Sequence, residues 1–284
     1  MKDTVHIQRI AAFSKGDKGG NPAGVVLWDT AIHEEEMSRI AADVGYSETV
    51  FAYPTDETGT RWRVRYFSPE IEVPFCGHAT IALGAVLAEQ RGAGTFEFTL
   101  NNAVIPVEAR DSSDGMFVTL SSPPTRSRSL SGDELNELLS LFGLMLSDLD
   151  PRLPPAHIHG GSDHILLPLS ERSKLAGMSY DLETGRNVML RHSIATVMLV
   201  VVDDDQTFVV RNAFASGGVR EDPATGAAAA AFAGYLRDQN WQHNGHFTIR
   251  QGEDMGMPSL INVELENASG TPVRVSGRAR HIVE

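Results

Sequence analysis

Gly77-His78-Ala79-Thr80-Ile81-Ala82-Leu83-Gly84-Ala85-Val86-Leu87-Ala88-Glu89-Gln90 decides how the fold is read, because its pattern returns as Gly226-Ala227-Ala228-Ala229-Ala230-Ala231-Phe232-Ala233-Gly234-Tyr235-Leu236-Arg237-Asp238-Gln239. Gly226 follows Gly77, Leu236 follows Leu87 and Gln239 follows Gln90 by the same 149 residues. The second run has no polar face until Arg237, and the first is nearly as bare. A helix apolar all round is buried all round, and small side chains let strands approach it from every side. Each run is preceded by a β-type segment, Arg61 to Phe67 or Thr207 to Arg211. Each is followed by a glycine turn, Arg91-Gly92-Ala93-Gly94 or His243-Asn244-Gly245, and then by a strand-like segment, Phe96 to Leu100 or Phe247 to Ile249. The order strand, glycine, helix, strand occurs twice. It predicts an α+β fold of two similar halves, each a sheet wrapped around a central helix, and not a stack of parallel βαβ units.

Outside the repeat, Ile32, Met37, Ile40, Ala41 and Val44 fall at near-helical spacing behind Glu34, Glu35 and Glu36, the signature of a surface helix with acids at its N-terminus. Ser131-Gly132-Asp133-Glu134 resembles a capping box before Leu135, Leu138, Leu139 and Phe142. Asp150-Pro151-Arg152-Leu153-Pro154-Pro155-Ala156 is a proline-rich breaker and reads as a crossover. The expected division is an N-terminal half over residues 1–125, to which C-terminal residues can return, and a C-terminal half over residues 126–284.

The 284 residues carry 37 acidic and 24 basic side chains, a net charge of −13, and are 42% hydrophobic, as expected of a soluble globular protein. That charge, with no Lys/Arg-rich stripe, argues against nucleic acid and anionic membranes as partners. The longest apolar runs, Val197 to Val202 and Ala227 to Leu236, are shorter than the roughly 17–25 residues a membrane span needs. Met1 to Ile10 has scattered charges and no apolar core, so it does not read as a signal peptide, and the cytoplasm is the expected location. The single cysteine, Cys76, excludes an internal disulfide and a cysteine-based metal cluster.

The first N–H groups of a helix lack internal partners and carry partial positive charge, so a glycine-led helix start is suited to an anion. Gly77-His78-Ala79 and Thr225-Gly226-Ala227 are two such starts, and if the halves pack about a pseudo-twofold both would face one cleft. Glu48, within Ser47-Glu48-Thr49-Val50-Phe51, sits in an apolar, strand-like context that raises a carboxyl pKa toward the range useful for proton shuttling. His78 follows the helix-opening glycine, and Asp222 of Arg220-Glu221-Asp222-Pro223 lies shortly before Gly226. Each has a plainer alternative: a strand-edge salt bridge for Glu48, a first-turn surface residue for His78, an N-terminal cap for Asp222.

Gly20-Asn21-Pro22-Ala23-Gly24-Val25-Val26, Ser47-Glu48-Thr49-Val50-Phe51, Phe67-Ser68-Pro69 with Pro74-Phe75-Cys76-Gly77-His78-Ala79-Thr80, and Glu221-Asp222-Pro223-Ala224-Thr225-Gly226 occur in the order and spacing of one family. Through them the chain resembles the PhzF family, the phenazine-biosynthesis-like proteins of the diaminopimelate epimerase fold. The resemblance implies two pseudo-symmetric domains, each a rolled β-sheet around a central helix, an active site in the cleft between them, and a homodimer. It implies no metal, flavin or nicotinamide. It makes Glu48 the acid/base that moves a proton between substrate carbons, with His78 and Asp222 assisting. Asn21, Gly77, Thr225 and Gly226 become substrate-binding residues for a small anionic metabolite.

Two departures matter. The phenazine enzyme's pattern has serine after Thr-Gly, where this chain has Ala227, which puts the phenazine precursor in doubt as substrate. Racemases and epimerases of this fold use one thiol from each half; Cys76 aligns with one of them, but the other half offers Asp222 in that neighbourhood. Two-thiol chemistry is therefore disfavoured and Cys76 reads as a buried small side chain. His157, His159 and His164 are a weaker alternative, a metal site. The leading expectation is a cofactor-independent isomerase. Its alternatives are an epimerase or racemase of an amino or hydroxy acid and a non-catalytic ligand-binding dimer.

Overall fold

A computed structural model of the chain describes residues 6–113, 115–242 and 244–283. Met1 to Val5 of the N-terminal stretch and His243 of the second glycine turn lie outside the described residues. The chain packs as two units, Met1–Ser121 with Ser276–Glu284 and Ser122–Val275. No helix among the described residues is long and apolar enough to cross a membrane.

The first unit contains β1 (Gln8–Ala12), β2 (Asn21–Leu27), α1 (Glu34–Val44), β3 (Thr49–Pro54), β4 (Arg61–Phe67), β5 (Glu72–Val73), α2 (Gly77–Arg91), β6 (Gly94–Thr99), β7 (Val104–Ser112) and β8 (Gly115–Ser121). Strands β2 and β3 run parallel across α1, and β4 and β6 run parallel across α2; the β1–β2, β3–β4, β6–β7 and β7–β8 pairs are antiparallel. The last strand of the chain, Arg274–His281, pairs with both β8 and β1, so the sheet closes into a barrel. Helix α2 runs inside it, buried from Gly77 to Ala88 on every face, as its lack of a polar stripe requires. Gly84 sets the closeness of approach: a Cβ there would meet Val118 Cγ1 at 2.7 Å and Val107 Cγ1 at 2.9 Å. Helix α1 instead covers the outer face, where Met37, Ile40 and Ala41 pack on Val26, Phe51 and Phe67. It starts with three glutamates and stops at Gly45, whose φ of 70° suits a glycine C-cap.

The second unit contains β9 (Arg126–Ser129), α3 (Gly132–Phe142), β10 (Ala156–His159), β11 (Asp163–Leu169), α4 (Arg172–Ala176), α5 (Leu182–Arg191), β12 (Thr196–Asp204), β13 (Thr207–Ala213), β14 (Glu221–Asp222), α6 (Gly226–Asp238), β15 (His246–Gln251) and β16 (Ser259–Glu264). The capping box of α3 is formed as read, with Ser131 and Glu134 satisfying each other's backbone N–H groups. Alternation along the strands builds two layers. Outward residues such as Ile165, Leu167, Val197, Leu199 and Val209 join Leu138, Val188 and Met189 of α3 and α5. Inward residues enclose α6, where Phe208, Phe232 and Phe247 meet edge to face with centroids 4.9–5.9 Å apart. The proline-rich segment 150–156 lies within this unit, between a 3-10 turn and β10.

The sheet is mixed. Besides the parallel pairs in the first unit, β11–β12 and β13–β15 are parallel, because each connects through helices that cross over the sheet. The contrast drawn from sequence between wrapped sheet and βαβ units is therefore too sharp: helical crossovers are how each central helix is enclosed.

Candidate active site

In the first unit the parallel pairing of β2 and β3 brings their N-terminal ends to one end of the barrel. Gly24 N–H donates to the Glu48 carbonyl at 3.3 Å, which fixes Glu48 just ahead of β3. Asn21 opens β2, and Cys76 caps the α2 N-terminus, followed by Gly77 and His78. These residues meet. His78 Nε2 lies 3.3 Å from Glu48 Oε2, Asn21 Nδ2 is 3.1 Å from His78 Nδ1, and Cys76 Sγ is 3.4 Å from Nδ1 and 3.8 Å from Nε2. Glu48, Cys76 and His78 are only 8%, 7% and 5% exposed. His78 is thus not a surface residue. With the Asn21 amide nitrogen turned to Nδ1, that ring nitrogen accepts and the imidazole hydrogen sits on Nε2, facing Glu48.

Burial raises the Glu48 pKa above the ordinary carboxylate value, against the opposing pull of hydrogen bonds from Ser47 and Cys76. Its Oε2 is buried without a hydrogen bond, since the imidazole is near but not aligned. The carboxyl atom closest to the ring therefore keeps unused acceptor capacity. The first turn of α2 has no acidic residue and no side-chain cap, so nothing in that turn offsets its partial positive charge. Glu48, Cys76 and His78 also form a trio whose ligand atoms lie within 4.8 Å of one another.

The second unit assembles another cluster. Asp222 ends β14 and Thr225 caps α6, which begins at Gly226. Thr225 Oγ1 donates to Asp222 Oδ2 at 2.5 Å. Gln251 ties the turn together: its Nε2 donates to the Asp222 carbonyl at 2.7 Å and to Thr225 Oγ1 at 3.1 Å, and its Oε1 accepts from Thr225 N–H at 3.3 Å. Asp222 is a buried strand residue, not a helix cap. Asn212, its register partner on β13, is fully buried with both side-chain polar atoms lacking hydrogen bonds. The seven residues singled out from sequence thus fall into two clusters, Asn21, Glu48, Gly77 and His78 in one unit and Asp222, Thr225 and Gly226 in the other.

Gln251 and Asn212 escaped the sequence reading. Their signal was a polar side chain at the buried phase of an alternating strand, after Phe247 and Ile249 in β15 and after Phe208 and Val210 in β13. A pair of clamps also escaped it. Arg65 holds Glu72 in a fork (Nε–Oε1 2.7 Å, Nη2–Oε2 2.5 Å), and Arg211 holds Glu221 the same way (3.0 and 2.5 Å). Each clamp fastens the short strand that leads into a central helix, and Glu221 follows Glu72 by the repeat's own 149 residues. The same offset makes Thr225, not Asp222, the counterpart of Cys76, since both cap a central helix; Asp222 corresponds to Val73.

The histidines do not form a metal site. Ile158 faces His164 in the β10–β11 register, so His157 and His159 point to the opposite side of the sheet from His164. His164 Nδ1 pairs with Thr196 Oγ1 at 2.7 Å, and burial lowers its pKa to about 3. His159 is 3.1 Å from Asp163 instead.

The family model described as phenazine biosynthesis-like protein matches residues 10–284. The chain belongs to the PhzC-PhzF family. Among relatives, a Deinococcus radiodurans protein named as an uncharacterized isomerase is 33% identical over 90% of this chain and 85% of its own. A Bacillus subtilis (strain 168) protein of the same description is 27% identical over 98% and 97%. Among solved structures, the Bacillus anthracis phenazine biosynthesis protein of the PhzF family superposes with a TM-score of 0.85 at 24% identity, covering 98% and 97%. A hydroxyproline epimerase from Agrobacterium vitis superposes at 0.66 and 12%, covering 98% and 90%. These place the fold of this PhzC-PhzF protein beside both PhzF and proline racemase-like structures.

Proposed function

We propose that this PhzC-PhzF protein is an isomerase that moves a proton within a small carboxylate-bearing substrate by acid/base catalysis at Glu48, without a cofactor. The carrying observation is the Glu48 carboxyl: buried, with one oxygen lacking a hydrogen bond and a histidine nitrogen 3.3 Å away. In this reading Glu48 takes a proton from a carbon activated by the adjacent carboxylate and returns it to another carbon. His78, held by Asn21, donates toward the developing charge, and the N–H groups at the starts of α2 and α6 hold the substrate carboxylate. Asp222, oriented by Thr225 and Gln251, acts on the same substrate. The names of the relatives support the reaction class. The reading carries with it a diaminopimelate epimerase-like arrangement of two pseudo-symmetric domains with the substrate in the cleft, a homodimer and a cytoplasmic location.

A thermal-shift screen of small carboxylates, followed by proton NMR of each hit in D2O, tests it. The expected result is migration of a proton between substrate carbons by the parent protein and a loss of at least about a hundredfold in Glu48→Gln, the scale of general acid/base catalysis. Parental turnover in that variant refutes it. Epimerisation of an amino or hydroxy acid is the second reading, favoured by the likeness to a hydroxyproline epimerase. Deuterium entering one carbon with no bond migration would select it.

A further inference from the structure

Glu48, Cys76 and His78 make up the one trio of His, Cys, Asp or Glu donors that converges this closely among the described residues. We propose that it binds a borderline-soft divalent cation of the zinc type, and that the bound ion blocks proton transfer at Glu48; this second part rests on the isomerase reading above.

The geometry carries the binding. Zinc bonds of ~2.0–2.3 Å at tetrahedral angles separate neighbouring ligand atoms by roughly 3.3–3.7 Å. His78 Nε2 lies 3.3 Å from Glu48 Oε2, inside that range, and 3.8 Å from Cys76 Sγ, just beyond it, a difference that a small side-chain rotation closes without moving the backbone. Glu48 Oε2, buried and without a hydrogen bond, is one of the three ligand atoms. A thiolate and a carboxylate neutralise the charge of a divalent ion, which suits a site with so little exposure. Asn21, 3.1 Å from His78 Nδ1, supplies the outer contact that orients a ligating imidazole once its amide turns to present oxygen. The partial positive charge of the α2 terminus opposes a cation but favours the thiolate that binds it. On binding, the ion forms its bond to Sγ as the thiol proton leaves to solvent. The three protein donors leave a fourth position open, and Glu48 can then neither take nor give a proton.

The test uses the full-length protein freed of metal with a chelator and titrated with ZnCl2 by calorimetry, and with Co2+ by absorption. One Zn2+ should bind per chain, and Co2+ should give a thiolate charge-transfer band in the near ultraviolet. Cys76→Ser should abolish that band and weaken zinc at least tenfold, and Glu48→Gln should also weaken it, while His157→Ala/His159→Ala binds as the parent does. If Cys76→Ser departs from the parental circular dichroism spectrum, Glu48→Gln decides. Zinc bound equally well by parent, Cys76→Ser and Glu48→Gln, or lost only in the His157/His159 variant, overturns the site. With an identified substrate, one equivalent of Zn2+ should stop turnover and chelator should restore it; full activity with the ion bound overturns the block. Zinc bound as expected with Glu48→Gln fully active would sink the isomerase reading and leave the site standing, while no zinc binding with Glu48→Gln inactive would do the reverse.

Discussion

Gly84 sits where α2 passes closest to the barrel wall, and replacing it with alanine measures how much that closeness matters. The added Cβ would lie 2.7 Å from Val118 Cγ1 and 2.9 Å from Val107 Cγ1, whereas carbon atoms in good contact sit ~3.5–4.0 Å apart. Both valines are fully buried and their branched side chains have stiff rotamers, so the strain passes to the backbone. Overpacking of this kind costs ~1–3 kcal/mol, from which the better helix propensity of alanine returns ~1 kcal/mol. The net is blurred by that cancellation, so the sharper quantity is the coupling with Val118. Val118→Ala alone removes two buried methyls and leaves a cavity, a loss of ~2–3 kcal/mol. In the double variant the new Cβ occupies the vacated space and the shorter contact is gone. The pair should therefore be less destabilised than the sum of the singles by ~1–2 kcal/mol. Urea unfolding followed by Trp28 and Trp62 fluorescence, in a Trp241→Phe background so that only the first unit reports, would measure it. Additivity to within ~0.5 kcal/mol would show that the glycine is not there to let helix and strands meet.

Two further predictions concern the second unit. His164 is buried with a pKa of about 3, below the ~6.5 of an unfolded chain, so the unfolded state binds the extra proton and stability falls as pH drops from ~6.5 toward 3. By pH 4.5 its contribution to the loss is ~2–3 kcal/mol; His164→Gln should flatten the pH dependence of urea unfolding, and equal slopes in parent and variant would contradict the assignment. Arg211→Met strands the buried Glu221 carboxylate and should cost ~3–5 kcal/mol, most of it recovered in Arg211→Met/Glu221→Leu; equal losses in the single and double variants would rule out an unpaired charge as the cause.

What the sequence disclosed was whatever has a short-range or periodic cause. A helix with no polar face must be enclosed, and α2 and α6 are; Ser131 and Glu134 stand at capping-box spacing and form the box. The burial of Glu48 followed from its apolar neighbours in the same way, and the structure adds the histidine nitrogen at 3.3 Å. What stayed hidden depends on register between distant segments. Nothing near Gln251 announces that it bonds to Asp222 and Thr225, a contact spanning 29 and 26 residues. The histidine alternative stayed open for a related reason: spacing alone could not say that the β10–β11 hairpin sends His164 to one face and His157 and His159 to the other. The proline-rich segment read as a breaker lies inside the second unit, since a proline ends an element without ending a unit.

The internal repeat separates scaffold from chemistry. Position by position, the parts that hold each helix mouth in place are kept in both units: the central helix, the short strand before it, and the Arg–Glu fork that fastens that strand. The parts that present chemistry at the mouth differ. By the 149-residue offset Cys76 corresponds to Thr225 and Val73 to Asp222; by strand register Tyr66, which faces Val73 and bonds Thr80, takes the place of Asn212, which faces Asp222 and whose amide bonds nothing. Thr80 itself corresponds to Ala229, which has no hydroxyl for such a bond. A mechanism needing the same base from each half would hold these positions alike, as two-thiol chemistry does. Their divergence, with a carboxylate–imidazole–thiol cluster at one mouth and an aspartate braced by threonine and glutamine at the other, argues that the two mouths do unlike work. In the proposed reading the proton falls to Glu48, whose Oε2 combines burial, a missing hydrogen bond and a neighbouring imidazole, whereas the Asp222 carboxylate is already engaged by the Thr225 hydroxyl.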